Sequence, residues 1–269
     1  MEVASIVAHR GEEPFLTGGQ GVGNVFFSHC NMACVFCQNH SISHENHGVL
    51  YSPGKLAERL LELQDQGCPT VGFVSPTQYL EQARKTIVAA RNMGLTVPVV
   101  WNSNAFESVT ALRTLEGLVD IYLPDLKYAD DGYAAEYSSA PGYVAASRAA
   151  VLEMWRQAGV MKIGDGIARK GLCVRHLVLP NDISGTDEIL GFIAGISREI
   201  TVSLMSQYNP LFRAGEHPLI SRRLWQSEYW RAVETAGALG LSNTLIQEPE
   251  TSPETFIPDF GRENPFEQQ

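Results

Sequence analysis

The feature that most constrains the fold of this chain is a regular alternation of short apolar runs with stretches of helical periodicity. Each run is rich in Val, Ile, Leu or Phe, as expected for a strand that is buried on both faces. The predicted strands are residues 24–28, 70–75, 98–102, 119–123, 174–179 and 201–205. This alternation predicts an α/β fold with a parallel sheet and crossover helices.

The predicted helices lie at residues 53–66, 78–93, 107–115, 145–157, 187–198 and 224–239. The first has the clearest boundaries, because Ser52 suits an N-cap, Pro53 suits the first helical position and Gly67 can end the helix. A chain of 269 residues can bury one large core. We therefore predict a single domain over residues 1–247, followed by an irregular tail, residues 248–269, that is rich in Pro and Glu.

Three cysteines, Cys30, Cys34 and Cys37, follow the first predicted strand with the spacing C-x3-C-x2-C. Three thiolates on one short loop can hold three irons of a [4Fe–4S] cluster and leave the fourth iron open to another ligand. Ferredoxin-type clusters normally use four cysteines. We therefore expect a cluster that acts as a chemical site rather than only as an electron store.

Two other interpretations of the motif remain open. A zinc site would need a fourth ligand, which His29 or His40 could supply. Cys34 and Cys37 also form a C-x2-C redox pair, but that interpretation leaves Cys30 unexplained. The remaining cysteines, Cys68 and Cys173, lie in apolar stretches and are predicted to be buried hydrophobic residues.

Composition narrows the classes of partner. The formal net charge of −10 and the lack of a basic run argue against binding to a nucleic-acid backbone. No apolar run approaches the roughly 18–20 residues needed to span a bilayer. No secretory signal is visible, and reduced thiols suit a cytoplasmic location. We expect a cytoplasmic protein without nucleic-acid or membrane partners.

The cysteine motif, with the aromatic Phe36 before its third cysteine, resembles the signature of the radical SAM superfamily. Several further segments resemble the pyruvate formate-lyase activating enzyme homologues called PflX. These segments are residues 11–14, 18–23, 25–28, 73–77, 101–104, 125–128, 175–180 and 205–208. The resemblance implies a partial (β/α)6 barrel with the cysteine loop at the C-terminal rim of the strands. An open, doubly wound sheet is the alternative that periodicity leaves open.

The resemblance also implies the cofactors, a [4Fe–4S] cluster held by the three cysteines and S-adenosylmethionine (SAM) on the open iron. Predicted SAM contacts lie in or just after the cysteine motif, at successive strand ends, and at the start of the fifth strand: Phe36, Asn39, Ser75, Thr77, Asn102, Asn104, Leu179 and Arg175. Asp125 and Lys127, after the fourth strand, are the predicted catalytic pair. Many family members have Gly-Gly-Glu after the second strand, whereas this chain offers only the hydroxyls of Ser75 and Thr77.

The activity implied by the resemblance is reductive cleavage of SAM to a 5′-deoxyadenosyl radical, which abstracts hydrogen from a substrate. A low-potential donor of the flavodoxin or ferredoxin type would supply the electron. The named relatives install a glycyl radical on a partner protein, so a protein substrate is expected. Two alternatives are a small-molecule or unrelated peptide substrate and a non-catalytic iron–sulfur protein. The segment 129–143 is predicted to be a long loop that helps cover the substrate.

Overall fold

The computed structural model describes residues 1–45, 47–248 and 257–267. Its strands are β1 (Glu2–His9), β2 (Val22–Phe27), β3 (Val49–Leu50), β4 (Val71–Val74), β5 (Val99–Ser103), β6 (Ile121–Pro124), β7 (Lys162–Gly164), β8 (Ile167–Leu177), β9 (Thr201–Met205) and β10 (Thr244–Ile246). Its helices are α1 (Pro14–Thr17), α2 (His40–Ser43), α3 (Pro53–Asp65), α4 (Leu80–Met93), α5 (Val109–Arg113), α6 (Asp131–Ser138), α7 (Tyr143–Ala158), α8 (Thr186–Ile196) and α9 (Gln226–Ala238).

The strands form one sheet in the order β10-β9-β8-β6-β5-β4-β2-β1-β3, with β7 paired to β8. The strands from β2 to β10 along this path are mutually parallel and follow one another in chain order. The sheet curves without closing, because β10 and β3 lie at its two ends. The predicted α/β fold with a partial barrel is confirmed.

Two apolar layers build the core. On the outer face, the sheet packs against helices through a large cluster that includes Leu56, Ile87 and Trp101. Inside the barrel, Phe15 and Leu16 of α1 pack with residues of β5 and β6. The short helix α1 therefore fills the N-terminal end of the barrel, which leaves the C-terminal end of the strands for polar side chains.

The strand predictions are confirmed in position but not in number or length. The antiparallel strands β1, β3 and β7 and the edge strand β10 were not predicted. Strand β8 begins at Ile167 rather than residue 174, because a hairpin turn with positive φ at Asp165 and Gly166 pairs β7 with its start. It ends at Leu177, two residues before the predicted end.

The prediction of a long loop at residues 129–143 is wrong, because this segment contains helix α6. The Asp130 side chain accepts a hydrogen bond from the Tyr133 N–H at 3.0 Å and caps the helix. The apolar residues of α6 do not recur along one face, so helical periodicity gave no signal there.

The predicted tail is described only over residues 257–267, where it forms turns and packs Phe260 and Phe266 against the inward-facing Phe26 of β2. The rest of the predicted tail, residues 249–256 and 268–269, lies outside the described part of the chain. None of the described helices is long and apolar enough to cross a membrane.

A buried histidine gives the fold a pH dependence. His176 is fully buried, with its ring nitrogens 2.8 Å from the Leu126 carbonyl and 2.9 Å from the Thr186 hydroxyl. Burial lowers its pKa from 6.5 to about 4. The unfolded chain therefore binds a proton more readily between these pH values, so stability is lost as the pH falls from about 6.5 to about 4.

We expect this histidine to account for a loss of about 2 kcal/mol in the free energy of unfolding between pH 7 and pH 5. Urea denaturation at both pH values measures it. The variant His176→Gln keeps hydrogen-bonding groups but does not titrate, and its stability should change less over this interval. An equal pH dependence in both proteins would contradict the assignment.

Candidate functional site

The three motif cysteines lie on the loop that follows β2, at the C-terminal edge of the parallel strands. Main-chain hydrogen bonds join this loop to the end of α6: Ala33 N–H donates to the Ser138 carbonyl and Val35 N–H to the Tyr137 carbonyl, both at 2.9 Å. Arg213 N–H donates to the Val35 carbonyl at 2.8 Å. The loop is thus held in place from two sides before any ligand binds.

Each of the three sulfur atoms has a polar neighbour. The Asn104 side-chain amide donates to Cys30 Sγ at 3.5 Å, and the Ser138 hydroxyl donates to Cys34 Sγ at 3.0 Å. Cys37 Sγ lies 3.8 Å from the Ser43 hydroxyl. Donors of this kind orient sulfur ligands and tune a bound cluster.

The chemistry of the thiols fits a metal cluster. The pKa of Cys34 is raised to about 12, chiefly by burial, which outweighs the lowering effect of the Lys127 charge. Burial also raises the pKa of Cys37. Metal binding requires thiolates, so a positively charged metal centre would displace these protons.

The zinc interpretation lacks a converging ligand set. In the part of the chain that the structure describes, no three His, Cys, Asp or Glu side chains are grouped around one ion. His29 Nε2 lies 3.1 Å from a Glu2 carboxylate oxygen, and His40 stacks on Phe212 with ring centroids 4.9 Å apart. In a [4Fe–4S] cluster each cysteine binds its own iron, so the three thiolates need to surround the cubane rather than meet at a single ion. Cys68 and Cys173 are buried, as predicted.

A charged network lies inside the barrel beside the cysteine loop. Asp125 accepts hydrogen bonds from Arg175 Nε and from Lys127 Nζ, each at 2.7 Å. Burial alone would raise the pKa of Asp125, but the charges of Arg175 and Lys127 hold it at about 2. Asp125 is therefore ionised, and the two cations share one carboxylate.

Glu12 and Glu13, between β1 and α1, extend this network toward the N-terminal end of the barrel. A Glu12 carboxylate oxygen lies 3.2 Å from Arg175 Nη1, and the other accepts from the Asn24 amide at 2.9 Å. Burial raises the pKa of Glu13, one of whose oxygens has no hydrogen-bond partner among the described residues. These carboxylates give the barrel interior a mixed charge rather than a purely cationic one.

Three predicted SAM contacts, Asn39, Asn102 and Arg175, line one pocket above this network. The Asn39 side-chain oxygen is buried and has no hydrogen-bond partner among the described residues. A buried polar atom without a partner is costly, and a ligand that donates to it would remove that cost. The polar lining of this pocket is therefore of the kind that a polar ligand such as SAM would use.

Asn104 joins the cysteine loop to the strand ends. Its amide donates to Asn31 Oδ1 at 2.7 Å as well as to Cys30, and its side-chain oxygen accepts from the Phe106 N–H at 3.0 Å. The Tyr143 hydroxyl lies 2.9 Å from the Asn104 carbonyl and 2.8 Å from that of Asp125. Tyr143 thereby fixes two strand ends against each other.

The other predicted contacts fall into two groups. Phe36 and Leu179 lie in one apolar cluster under the cysteine loop, where Phe36 packs edge-on against Tyr208. Thr77 instead donates to the buried Glu107 at 3.2 Å, which also accepts from Trp101 on the outer face of the sheet. The main chain at Ser75 has positive φ, and its carbonyl accepts from the Gln78 amide at 2.9 Å.

Four side chains of the site had no role assigned from sequence. Glu12, Gln78, Ser138 and Tyr143 each contact a predicted site residue or the cysteine loop. Glu12 stands within a segment that carries the family resemblance, which was the only available signal. Ser138 and Tyr143 lie in the segment 129–143, whose structure was predicted wrongly.

Comparisons with known proteins agree with this geometry. The family model for the radical SAM superfamily matches residues 24–182, more than half of the chain. An uncharacterized protein of Methanocaldococcus jannaschii is 32% identical over 238 residues, which cover 85% of this chain and 64% of that protein. The chain thus spans less than two-thirds of that relative's length.

Two solved structures show the same fold. The FeFe-hydrogenase maturase HydG from Carboxydothermus hydrogenoformans has a TM-score of 0.58 at 13% identity, over 82% of this chain and 52% of its own. SuiB from Streptococcus suis, bound to S-adenosylmethionine, has a TM-score of 0.57 at 11% identity, over 83% and 51%. The family match and the shared partial barrel establish that this chain belongs to the radical SAM superfamily, whose cofactors are a [4Fe–4S] cluster and S-adenosylmethionine.

Proposed function

We propose that this chain is an enzyme that cleaves SAM reductively and abstracts hydrogen from a polypeptide substrate. The observation that carries the proposal is the position of the three-cysteine loop beside the Asp125–Lys127–Arg175 network, at the edge where barrel enzymes keep their chemistry. Asn39, two residues after Cys37, lines the same pocket as Arg175, and the Lys127 charge partly offsets the burial that raises the pKa of Cys34 and of Cys37. The cluster loop and the charged network are therefore one site.

Each group has a defined task in this proposal. Cys30, Cys34 and Cys37 would hold three irons of the cluster, and the bound cofactors would supply the one-electron cleavage of SAM to methionine and a 5′-deoxyadenosyl radical. Asp125 fixes Lys127 and Arg175, which orient the charged groups of SAM. The polar side chains of Asn39 and Asn102 line the same pocket and would supply hydrogen bonds to a ligand bound there. Protein groups thus bind and orient, while the cofactors supply the hard chemistry.

The resemblance to the PflX-like branch supports a protein substrate, and glycyl-radical installation on a partner enzyme is the specific reaction that we propose. A flavodoxin-type or ferredoxin-type protein would supply the electron, because the single cluster that three cysteines hold cannot generate electrons itself. Reduced thiols and such a donor would suit a cytoplasmic location, which is part of this proposal.

A non-catalytic iron–sulfur protein is the second candidate. No carboxylate follows β4, where many superfamily members have one, and Thr77 is already bonded to Glu107. A chain that binds the cluster without cleaving SAM would fit this alternative.

We expect deuterium transfer to identify the substrate class. The reconstituted, reduced protein is incubated with SAM and with deuterated candidates, either glycyl-radical proteins or metabolite fractions, and 5′-deoxyadenosine is analysed by mass spectrometry. The proposal predicts label from a protein. Label that arrives only from a small metabolite would contradict the polypeptide substrate while leaving the radical mechanism intact.

A further inference from the structure

A loop formed by residues 257–267 lies inside the open side of the barrel. The Phe266 ring stacks on His9 of β1 with centroids 3.7 Å apart and an interplanar angle of 22°. Phe260 and Phe266 also contact the ring of Phe26, at centroid distances of 5.4 and 5.5 Å. Phe26 packs with Val74 at the end of β4. The two loop rings therefore sit on side chains that face the barrel interior.

This loop is a preformed unit. The Asp259 N–H donates to the Pro265 carbonyl at 2.9 Å and closes the loop, and the Phe266 N–H donates to Asn264 Oδ1 at 3.0 Å. Among the described residues, the main-chain hydrogen bonds of the loop are internal to it. Apolar and aromatic contacts hold it to the barrel. Such contacts are non-directional, and among the described residues no main-chain hydrogen bond to the barrel would have to break for the loop to leave.

The loop also occupies the candidate site. Pro258 and Phe266 line the same pocket as Asn39, Asn102 and Arg175, and Asn39 is two residues from Cys37. With the loop in place this pocket measures only ≈ 70 Å³. Sites for small ligands usually enclose about 300–1,000 Å³. The loop therefore has to move before SAM and a substrate can occupy the site together.

We propose that the 257–267 loop holds the place of a polypeptide substrate, whose aromatic side chain binds on His9 and Phe26 where Phe266 now lies. This inference rests on the proposed function, because it takes the pocket under the loop as the place where the hydrogen-donating substrate binds. The surface is complementary to a peptide with an aromatic residue, as the seated loop itself shows. A substrate segment of this class would displace the loop and enlarge the pocket.

Binding of a labelled peptide with the sequence of residues 257–267 tests this proposal. The reconstituted full chain is used anaerobically without SAM or reductant, and binding is followed by fluorescence anisotropy. In the wild type the loop competes with the peptide, whereas Phe266→Ala weakens that competition. We expect the variant to bind the peptide at least about tenfold more tightly. A peptide with both phenylalanines replaced by alanine should bind at least about tenfold more weakly.

A second pair of variants separates a specific surface from general adhesion. In the Phe266→Ala background, His9→Ala should weaken peptide binding, whereas Leu152→Ala, on the exposed face of α7, should not. Equal affinity of wild type and Phe266→Ala, or binding that does not depend on the phenylalanines, would overturn the proposal. Since no SAM is present, a failure to cleave SAM would contradict the proposed function alone and leave this result standing.

Discussion

The variant Cys34→Ala is expected to lose its iron, from about four irons per chain after anaerobic reconstitution to a background below about one. Cys30→Ala and Cys37→Ala should behave in the same way. Each of the three thiolates is needed, because the other two cysteines are buried in separate apolar clusters and cannot replace a lost ligand. Iron and sulfide analysis with visible absorption spectroscopy measures the effect.

Cys68→Ala and Cys173→Ala are the matched controls. Both remove a sulfur atom from the same chain, but the two residues are 2% and 0% exposed and pack among apolar side chains. They should keep the iron content of the wild type while lowering stability. If either control lost the cluster, or if Cys34→Ala kept it, the assignment of the three ligands would be wrong.

The second large effect is expected for Asp125→Asn. The amide keeps the shape of the side chain but removes the charge that Arg175 and Lys127 share. Lys127 would then lose its carboxylate partner and Arg175 would keep only its pairing with Glu12, which disturbs the positions of both cations. We expect SAM cleavage to fall by about 10²-fold, with the iron content unchanged because Asp125 is not a metal ligand.

Asp120→Asn is the control from the other end of the same strand. Asp120 precedes β6, as Asp125 follows it, and pairs with Arg91 at 2.6 Å. Its loss should lower stability by about 1 kcal/mol and leave SAM cleavage unchanged, since it lies at the end of the strand away from the site. Equal effects of the two substitutions on 5′-deoxyadenosine formation would show that the Asp125 network is only structural.

The parallel strands were predictable because burial on both faces leaves a continuous apolar run, as in β4 and β9. The antiparallel strand β1, between β2 and β3, is only partly buried, so its sequence lacks that signal. Helix α6 was missed because its apolar residues do not mark one face, and the loop prediction for that segment was wrong.

Part of the site was predictable, because the C-terminal ends of parallel strands lie at the same edge of the sheet. That rule indicated Asp125 and Lys127 without any knowledge of distances, whereas Arg175, near the start of a predicted strand, was indicated by the family resemblance. It could not indicate their partners, because Glu12 lies 163 residues from Arg175 and Ser138 lies 104 residues from Cys34 along the chain. Such pairings arise only when the sheet curves into the partial barrel. The roles assigned to these residues remain predictions.

Reductive cleavage of SAM tests the central claim most directly. The anaerobically reconstituted chain is incubated with dithionite and SAM, and the products are separated by liquid chromatography with mass spectrometry. We predict 5′-deoxyadenosine and methionine in equal amounts, formed only when cluster, reductant and SAM are all present. A fully loaded, reduced protein that binds SAM but forms no 5′-deoxyadenosine would contradict the claim that this chain is a radical SAM enzyme.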